Sequence, residues 1–316
     1  MSDSAGVLPV WSVLLLPLLL GVATWVAVAF DAALTARAAG SPRGLGSAVL
    51  TPVRETARLL VGQRRRTVAA DTVLGRTGAA VLPVAALLAA AVLPWGRLAV
   101  ADLDVGVVWF NAMEVVAWAA VWMVGWGSNS ALSLVGGYRF VVQGLAYELP
   151  HMFAIITVAL AAESLRVSDI VEAQQDLWFV VLMPVAFGAY LLSAAAMAFW
   201  GPFDAPVHRD LGGGAVAELS GIDRLVFAGG RWLLLVVAAA MAVPLFLGGG
   251  AGPWLPAWLW TGLKTAAVLA LLIWMRRRVP TLRMDRWTEI AWVVLIPLTI
   301  AQALVVAVVV LQRGGM

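Results

Sequence analysis

The sequence predicts an all-α integral membrane protein, with about eight transmembrane helices and one cytoplasmic amphipathic helix. Three observations predict it. Of the 316 residues, 62% are hydrophobic and only 12% charged, about half the charge of a soluble domain. Apolar runs long enough to cross a bilayer recur eight times. Arginine collects in alternate loops between those runs. The 16 Trp and 3 Tyr add support, since amphipathic rings anchor at headgroup depth.

The candidate spans are 9–32, 79–100, 107–126, 137–162, 177–199, 225–247, 255–275 and 288–311. Each is close to the ~20 residues a helix needs to cross, and together they make 1–316 a single polytopic domain. The first run is long enough to span, so it reads as a helix rather than a cleaved signal. No internal repeat is visible, which argues against a stand-alone transporter built on inverted repeats. An even number of spans puts both termini on one side. Loop 33–78 carries Arg37, Arg43, Arg54, Arg58, Arg64, Arg65, Arg66 and Arg76. Arg139, Arg209, Arg224 and Arg231 flank the next loops on that side, and Arg276, Arg277, Arg278, Arg283 and Arg286 fill the last. The opposite side has Arg97, Arg166 and Arg313. The arginine-rich side is therefore expected in the cytoplasm and both termini outside. Segment 50–63 places Val53, Ala57 and Leu60 at helical spacing, with Arg54, Glu55 and Arg58 elsewhere around the helix. Too polar to span, it reads as an interfacial helix with Pro52 in its first turn, or as a surface helix against another subunit.

Composition also excludes. With no cysteine, the chain has no disulfide, cysteine-ligated zinc or cysteine-bound iron–sulfur cluster. His151 and His208 are too few for a haem- or copper-rich site. There is no phosphate-binding glycine loop, nucleophile elbow or metal cluster. The pI near 9.9 comes from loop arginines, which orientation explains, so no nucleic-acid partner is expected.

Several residues could carry chemistry. Glu148 falls inside the fourth span, just before Pro150. A carboxylate in hydrocarbon costs several kcal/mol unless it is neutral or partnered. It reads either as a proton relay or as a structural hydrogen bond. Pro150 frees a carbonyl one turn earlier, which can admit water. Glu114 is roughly seven residues into its span, on the order of 10 Å deep. It reads as a relay, or as a residue snorkelling outward or facing a neighbouring subunit. Lys264, in the seventh span, wants an acid or a water-filled axis, or snorkels. Arg139, Gln143 and Tyr147 drift along one stripe expected to face a cytoplasmic funnel. Asp204, Asp210 and Glu218 gather in the third cytoplasmic loop, 200–224, near the glycines 212–214. Arg43, Arg283 and Asp285 lie in cytoplasmic loops, where they could simply enforce topology.

Seven segments occur in a known order. GWGSN at 125–129 leads through LVGGYR at 134–139 to QGLAYELP at 143–150. IVEAQ follows at 170–174, PFDAP at 202–206, ELSG at 218–221, LKT at 263–265 and PTLRMD at 280–285. Segment 50–60, with Pro52 and Glu55, resembles an amphipathic LQPIAD-type helix. In order and spacing, over nearly the whole length, the chain resembles the H-type (ND1-like) membrane subunit of respiratory complex I. That resemblance implies an eight-helix subunit in a proton-pumping NADH:quinone oxidoreductase. It would join the membrane arm to the peripheral arm, wall the quinone tunnel, and link quinone chemistry to proton translocation through acidic residues. Glu148, Asp204, Asp210 and Glu218 match such positions. Glu114 and Lys264 are weaker relay candidates. Arg43, Arg139, Tyr147, Arg283 and Asp285 would line the tunnel or face the peripheral arm. Quinone, either ubiquinone or menaquinone, is then a substrate. Flavin and iron–sulfur clusters belong to partner subunits, and the location is the cell's inner (plasma) membrane within a respiratory chain.

The chain departs from the family pattern in three places. The charged stretch usual before PFD is here Ala198-Phe-Trp-Gly201. The acidic run after it is shortened to Pro206-Val-His-Arg-Asp-Leu211, leaving Asp210. The arginine signature after the first span is reduced to Gly40-Ser-Pro-Arg-Gly44. The anchoring subunit of a related membrane-bound nickel–iron hydrogenase is the alternative reading.

Overall fold

Hydrocarbon offers no water to a backbone, so apolar spans must close their hydrogen bonds internally as helices. The computed structural model describes residues 6–38, 40, 45–207 and 214–314. A 3-10 segment, Val10–Leu15, leads into α1 (Leu16–Ala38). Two short helices follow, α2 (Leu45–Val49) and α3 (Thr51–Leu60). Next come α4 (Thr72–Ala90), α5 (Gly106–Gly127) and α6 (Ala131–Ala162). Beyond them lie α7 (Val167–Glu172), α8 (Phe179–Leu182) and α9 (Pro184–Met197). The chain then forms α10 (Gly221–Phe246) and α11 (Ala257–Arg278). Last, α12 (Met284–Ile290) runs through a π-turn, Ala291–Leu295, into α13 (Ile296–Gly314). Strands β1 (Gly6–Val7), β2 (Pro94–Trp95) and β3 (Leu98–Ala99) make a small sheet in the order β1-β3-β2.

Among the described residues, seven helical stretches are long and apolar enough to cross a membrane. The expected fifth span differs. Pro184 has no N–H, and it disfavours helix at the residue before it; Met183 sits at φ −135°, ψ 62° and divides α8 from α9. The backbone groups freed there are met from α13: Gln302 Oε1 accepts from Ala186 N at 2.9 Å and its amide donates to Leu182 O at 3.4 Å. Pro83, Pro150 and Pro244 sit inside α4, α6 and α10 without ending them.

The loops sort to two ends, as alternating spans require. At the arginine-poor end, β1 pairs with β3, and Gly96 N donates to Thr261 Oγ1. There Arg166 bonds Asp104 and contacts Asp102 at 3.5 Å. Gln174, fully buried, accepts from Phe179 N and Gly248 N and donates to Ile170 O and Pro244 O. The glutamine of IVEAQ is thus a staple between α7 and the end of α10. At the arginine-rich end, Arg65 N donates to Ser220 Oγ, Asn129 to Val68 O, and Leu282 N to Pro202 O.

Packing follows the rule for helices in lipid, where small residues let backbones approach. A Cβ on Gly78 of α4 would lie 2.5 Å from Ala120 O of α5. A Cβ on Gly136 of α6 would run into the backbone of Gly214 and Ala215, so that loop rests directly on the helix. From Leu234 to Phe246 every residue of α10 is buried, making it the central post. By contrast, α1 and α13 expose most of their apolar surface.

Candidate functional site

A polar side chain in an apolar span meets another only across a helix contact, and helical spacing decides which. On α5, Asn111, Glu114 and Trp118 share a face; on α6, Tyr147, Glu148 and His151 do so. The two faces meet. Asn111 Nδ2 donates to Glu148 Oε1 at 2.8 Å, and Trp118 Nε1 donates to the Tyr147 hydroxyl at 2.7 Å. Gly144 admits that indole: a Cβ there would lie 2.6 Å from the ring. His151 Nε2 lies 3.0 Å from Glu114 Oε2. At that separation an Nε2–H can donate to Glu114, while Nδ1 of His151 and Oε1 of Glu114 have no hydrogen-bond partner among the described residues. Glu148 Oε2 and Asn111 Oδ1 are likewise unpartnered. Glu114 and His151 are each 1% exposed and Glu148 8%. From α9, Tyr190 stacks on His151 with ring centres 5.0 Å apart and donates to Ala238 O at 2.9 Å.

Three sequence expectations change. Glu114 neither snorkels nor faces outward; its position in α5 points it at α6. Lys264 has no acidic ion-pair partner among the described residues. Its ammonium donates to Leu247 O (2.6 Å), Gly249 O (3.0 Å) and Ala251 O (2.7 Å) and lies 4.1 Å from the centre of the Trp178 ring. These carbonyls belong to the turn that follows α10. Nor do Arg139, Gln143 and Tyr147 share one funnel wall. Gln143 is buried and donates to Ala196 O and Phe203 O, and Tyr147 is buried in the cluster. Arg139 is half-buried in a separate groove of about 340 Å³, with Leu134, Val135, Tyr138, Val142 and Met284.

The remaining predicted residues lie at the arginine-rich end. Asp204, half-buried, accepts from Thr281 Oγ1 at 3.4 Å. Glu218 accepts from Ser130 Oγ at 3.0 Å, in a cleft it shares with Arg65, Asp71, Arg76 and Asp223. Arg283 and Asp285 form an exposed pair at 3.2 Å. Arg43 and Asp210 lie outside the described residues.

A family model described as NADH dehydrogenase matches residues 8–307. The chain belongs to that family. It is 36% identical over 276 residues to an H subunit of the NADH-quinone oxidoreductase of Geobacter metallireducens, covering 84% of each chain. It is 36% identical over 265 residues to an H subunit of the same enzyme from Rhodopseudomonas palustris, covering 83% of each. The corresponding protein of Geobacter sulfurreducens is 37% identical over 268 residues, which cover 81% of this chain and 82% of that one. Within the NADH dehydrogenase family the chain is therefore of the H (ND1) type of complex I. The nickel–iron hydrogenase alternative finds no support among these relatives.

For a member of the NADH dehydrogenase family, sequence reading missed four residues of this chain. Asn111 and His151 complete the buried cluster. Their signal is Asn-x-x-Glu at 111–114 and Glu-x-x-His at 148–151, polar pairs one turn apart in consecutive apolar spans. Asp31 of α1 holds Arg276 at 3.3 Å and Arg277 at 2.5 Å, tying α1 to α11. Arg231 is not a loop-flanking charge. It reaches from α10 to Ala198 O and Phe199 O, and nothing in its local sequence marks that contact.

Proposed function

We propose that the chain is the H-type membrane subunit of a proton-pumping NADH:quinone oxidoreductase, walling the quinone tunnel and linking quinone reduction to proton translocation. Quinone is its substrate. Flavin and iron–sulfur clusters reside in partner subunits, in keeping with a chain that has no cysteine. The partners are other membrane-arm and peripheral-arm subunits and the lipid of the plasma membrane. The arginine-rich end faces the cytoplasm and both termini face outward. Segment 50–63 lies along the interface, Arg283 and Asp285 face the peripheral arm, and loop 200–224 carries coupling through Asp204, Asp210 and Glu218.

The observation that carries this reading is Glu148. One oxygen is fixed by Asn111 at 2.8 Å while the other, Oε2, is buried and unpartnered. A neutral Glu148 holds its proton on Oε2. An ionised one keeps the Asn111 bond and leaves Oε2 open to the next proton. Such a group exchanges a proton without rebuilding its surroundings, which is what a relay beside a quinone site requires. Glu148→Gln keeps the shape and the Asn111 contact but cannot titrate. The variant complex should assemble normally while NADH:quinone turnover and pumping fall at least about tenfold. Wild-type turnover and pumping in correctly assembled membranes would end the relay role.

A further inference from the structure

Half of the twelve buried side-chain polar atoms without a hydrogen-bond partner, among the described residues, fall in one place: Asn111 Oδ1, both oxygens of Glu114, Glu148 Oε2 and both nitrogens of His151. Buried polar groups elsewhere in proteins are overwhelmingly paired. Here the imidazole is 1% exposed, stacked against Tyr190, and has one nitrogen, Nε2, 3.0 Å from a carboxylate oxygen and the other, Nδ1, unpartnered among the described residues. Both carboxylates lie beside it: Glu114 across the helix contact on α5, and Glu148 one turn earlier on its own helix. Of the two tyrosines in the cluster, Tyr190 donates to Ala238 O, and Tyr147 accepts from Trp118 Nε1.

We propose that His151 is a relay residue that carries a proton between Glu148 and Glu114, extending the path from α6 to α5. The proposal rests on the relay reading of Glu148. A proton leaves the Glu148 carboxylic acid for one imidazole nitrogen, giving a carboxylate and an imidazolium. The imidazolium then releases the proton on its other nitrogen to ionised Glu114. The ring ends neutral in its other tautomer, Glu114 ends protonated and Glu148 ionised. The net charge is unchanged throughout: an imidazolium forms between two carboxylates and is then discharged, and one negative charge moves from α5 to α6. Imidazole suits the step because it accepts at one nitrogen and donates from the other.

The test uses the assembled complex in sealed membranes of the host, driven by NADH with a short-chain quinone, with turnover and dye-reported pumping measured together. His151→Gln and His151→Glu are matched in shape and reach, and only Glu titrates. A relay predicts that His151→Gln loses pumping at least fivefold and that His151→Glu recovers at least half of it. A purely structural histidine predicts the opposite order, because a third carboxylate beside two others is the harder one to bury. Wild-type pumping by His151→Gln, or a Glu variant no better than Gln, overturns the proposal. Glu148→Gln in the same membranes separates the two levels. If it is impaired while His151→Gln is normal, His151 alone is excluded; if it is also normal, the relay reading of Glu148 fails. Should neither position-151 variant assemble, Glu114→Gln carries the same test, since it removes the acceptor and leaves the ring: a fivefold loss of pumping supports the transfer and wild-type pumping refutes it.

Discussion

Replacing Lys264 with Met separates a structural cation from a relay. The Lys264 ammonium bonds three carbonyls at 2.6, 3.0 and 2.7 Å, and the residue is 7% exposed. Those carbonyls belong to the turn after α10, where Gly248 and Gly249 take positive φ of 66° and 54°. Each hydrogen bond to a charged group contributes about 1.5–3 kcal/mol, and a buried carbonyl left unpaired costs about 1–3. One cation serves all three, so the losses do not simply add; roughly 3–5 kcal/mol is expected for Lys264→Met. The loss is local to residues 247–256. At about 1.4 kcal/mol per factor of ten, it raises amide exchange of Gly249 and Ala251 by roughly 10²–10³-fold. Those amides donate to Val243 O and Gly248 O within the turn. Hydrogen–deuterium exchange on the assembled complex reads this directly. Lys264→Arg, which can still donate to carbonyls, should keep most of the protection. A Lys264→Met variant with unchanged exchange and thermal lifetime but lost pumping would show that the ammonium serves proton transfer instead.

Two further outcomes are expected. Asp204→Asn with Glu218→Gln should lower quinone reductase activity several-fold while leaving NADH:ferricyanide activity of the complex intact, because ferricyanide bypasses the quinone site; an unchanged quinone rate would make loop 200–224 structural only. Gly78→Val should destabilise the complex by about 2–3 kcal/mol in thermal inactivation, since overpacking costs about 1–3 and its Cβ alone would come within 2.5 Å of Ala120 O. Gly188→Ala, with nothing within 4 Å of the added carbon, should be neutral or stabilising, and equal effects at the two sites would undo the packing argument.

The spans are legible in the sequence because hydrocarbon leaves an apolar run few options, and seven of them form continuous helices. The interruption at Met183 is not legible. Pro83, Pro150 and Pro244 all sit inside apolar helices and leave them intact. What distinguishes Pro184 is Gln302, which lies 116 residues from Ala186 in sequence. Glu148 is legible from its cost in lipid. The partners that decide its chemistry are less so: Asn111 sits 37 residues away, and only the α5–α6 crossing brings the two together. Lys264 illustrates the reverse error. A buried cation suggests a buried acid, but the backbone carbonyls of a turn are equally good acceptors and carry no sequence signature.

The uncharged stretch before Pro202 takes on a different meaning once the helices around it are placed. Sequence alone gives Ala198-Phe-Trp-Gly201 no charge with which to act. The fold brings charge to it from two other elements. Trp200 is buried with the Arg231 guanidinium 5.2 Å from its ring centre and that of Arg276 at 4.8 Å. Its indole N–H donates to Leu272 O at 3.1 Å, and a Cβ on Gly201 would meet Arg276 at 2.7 Å. Arg231 also bonds the carbonyls of Ala198 and Phe199, where Phe199 takes a positive φ of 51°. Two guanidiniums on one aromatic ring repel each other unless acids lie near. Asp31 supplies one against Arg276 at 3.3 Å, and Asp204 lies within electrostatic reach of Arg231. The corner that leads into the PFD loop is therefore cationic through α10 and α11, with the chain around Trp200 serving as the surface that holds those cations in place. A charge missing from a motif in sequence is not missing from the site when a neighbouring helix delivers it.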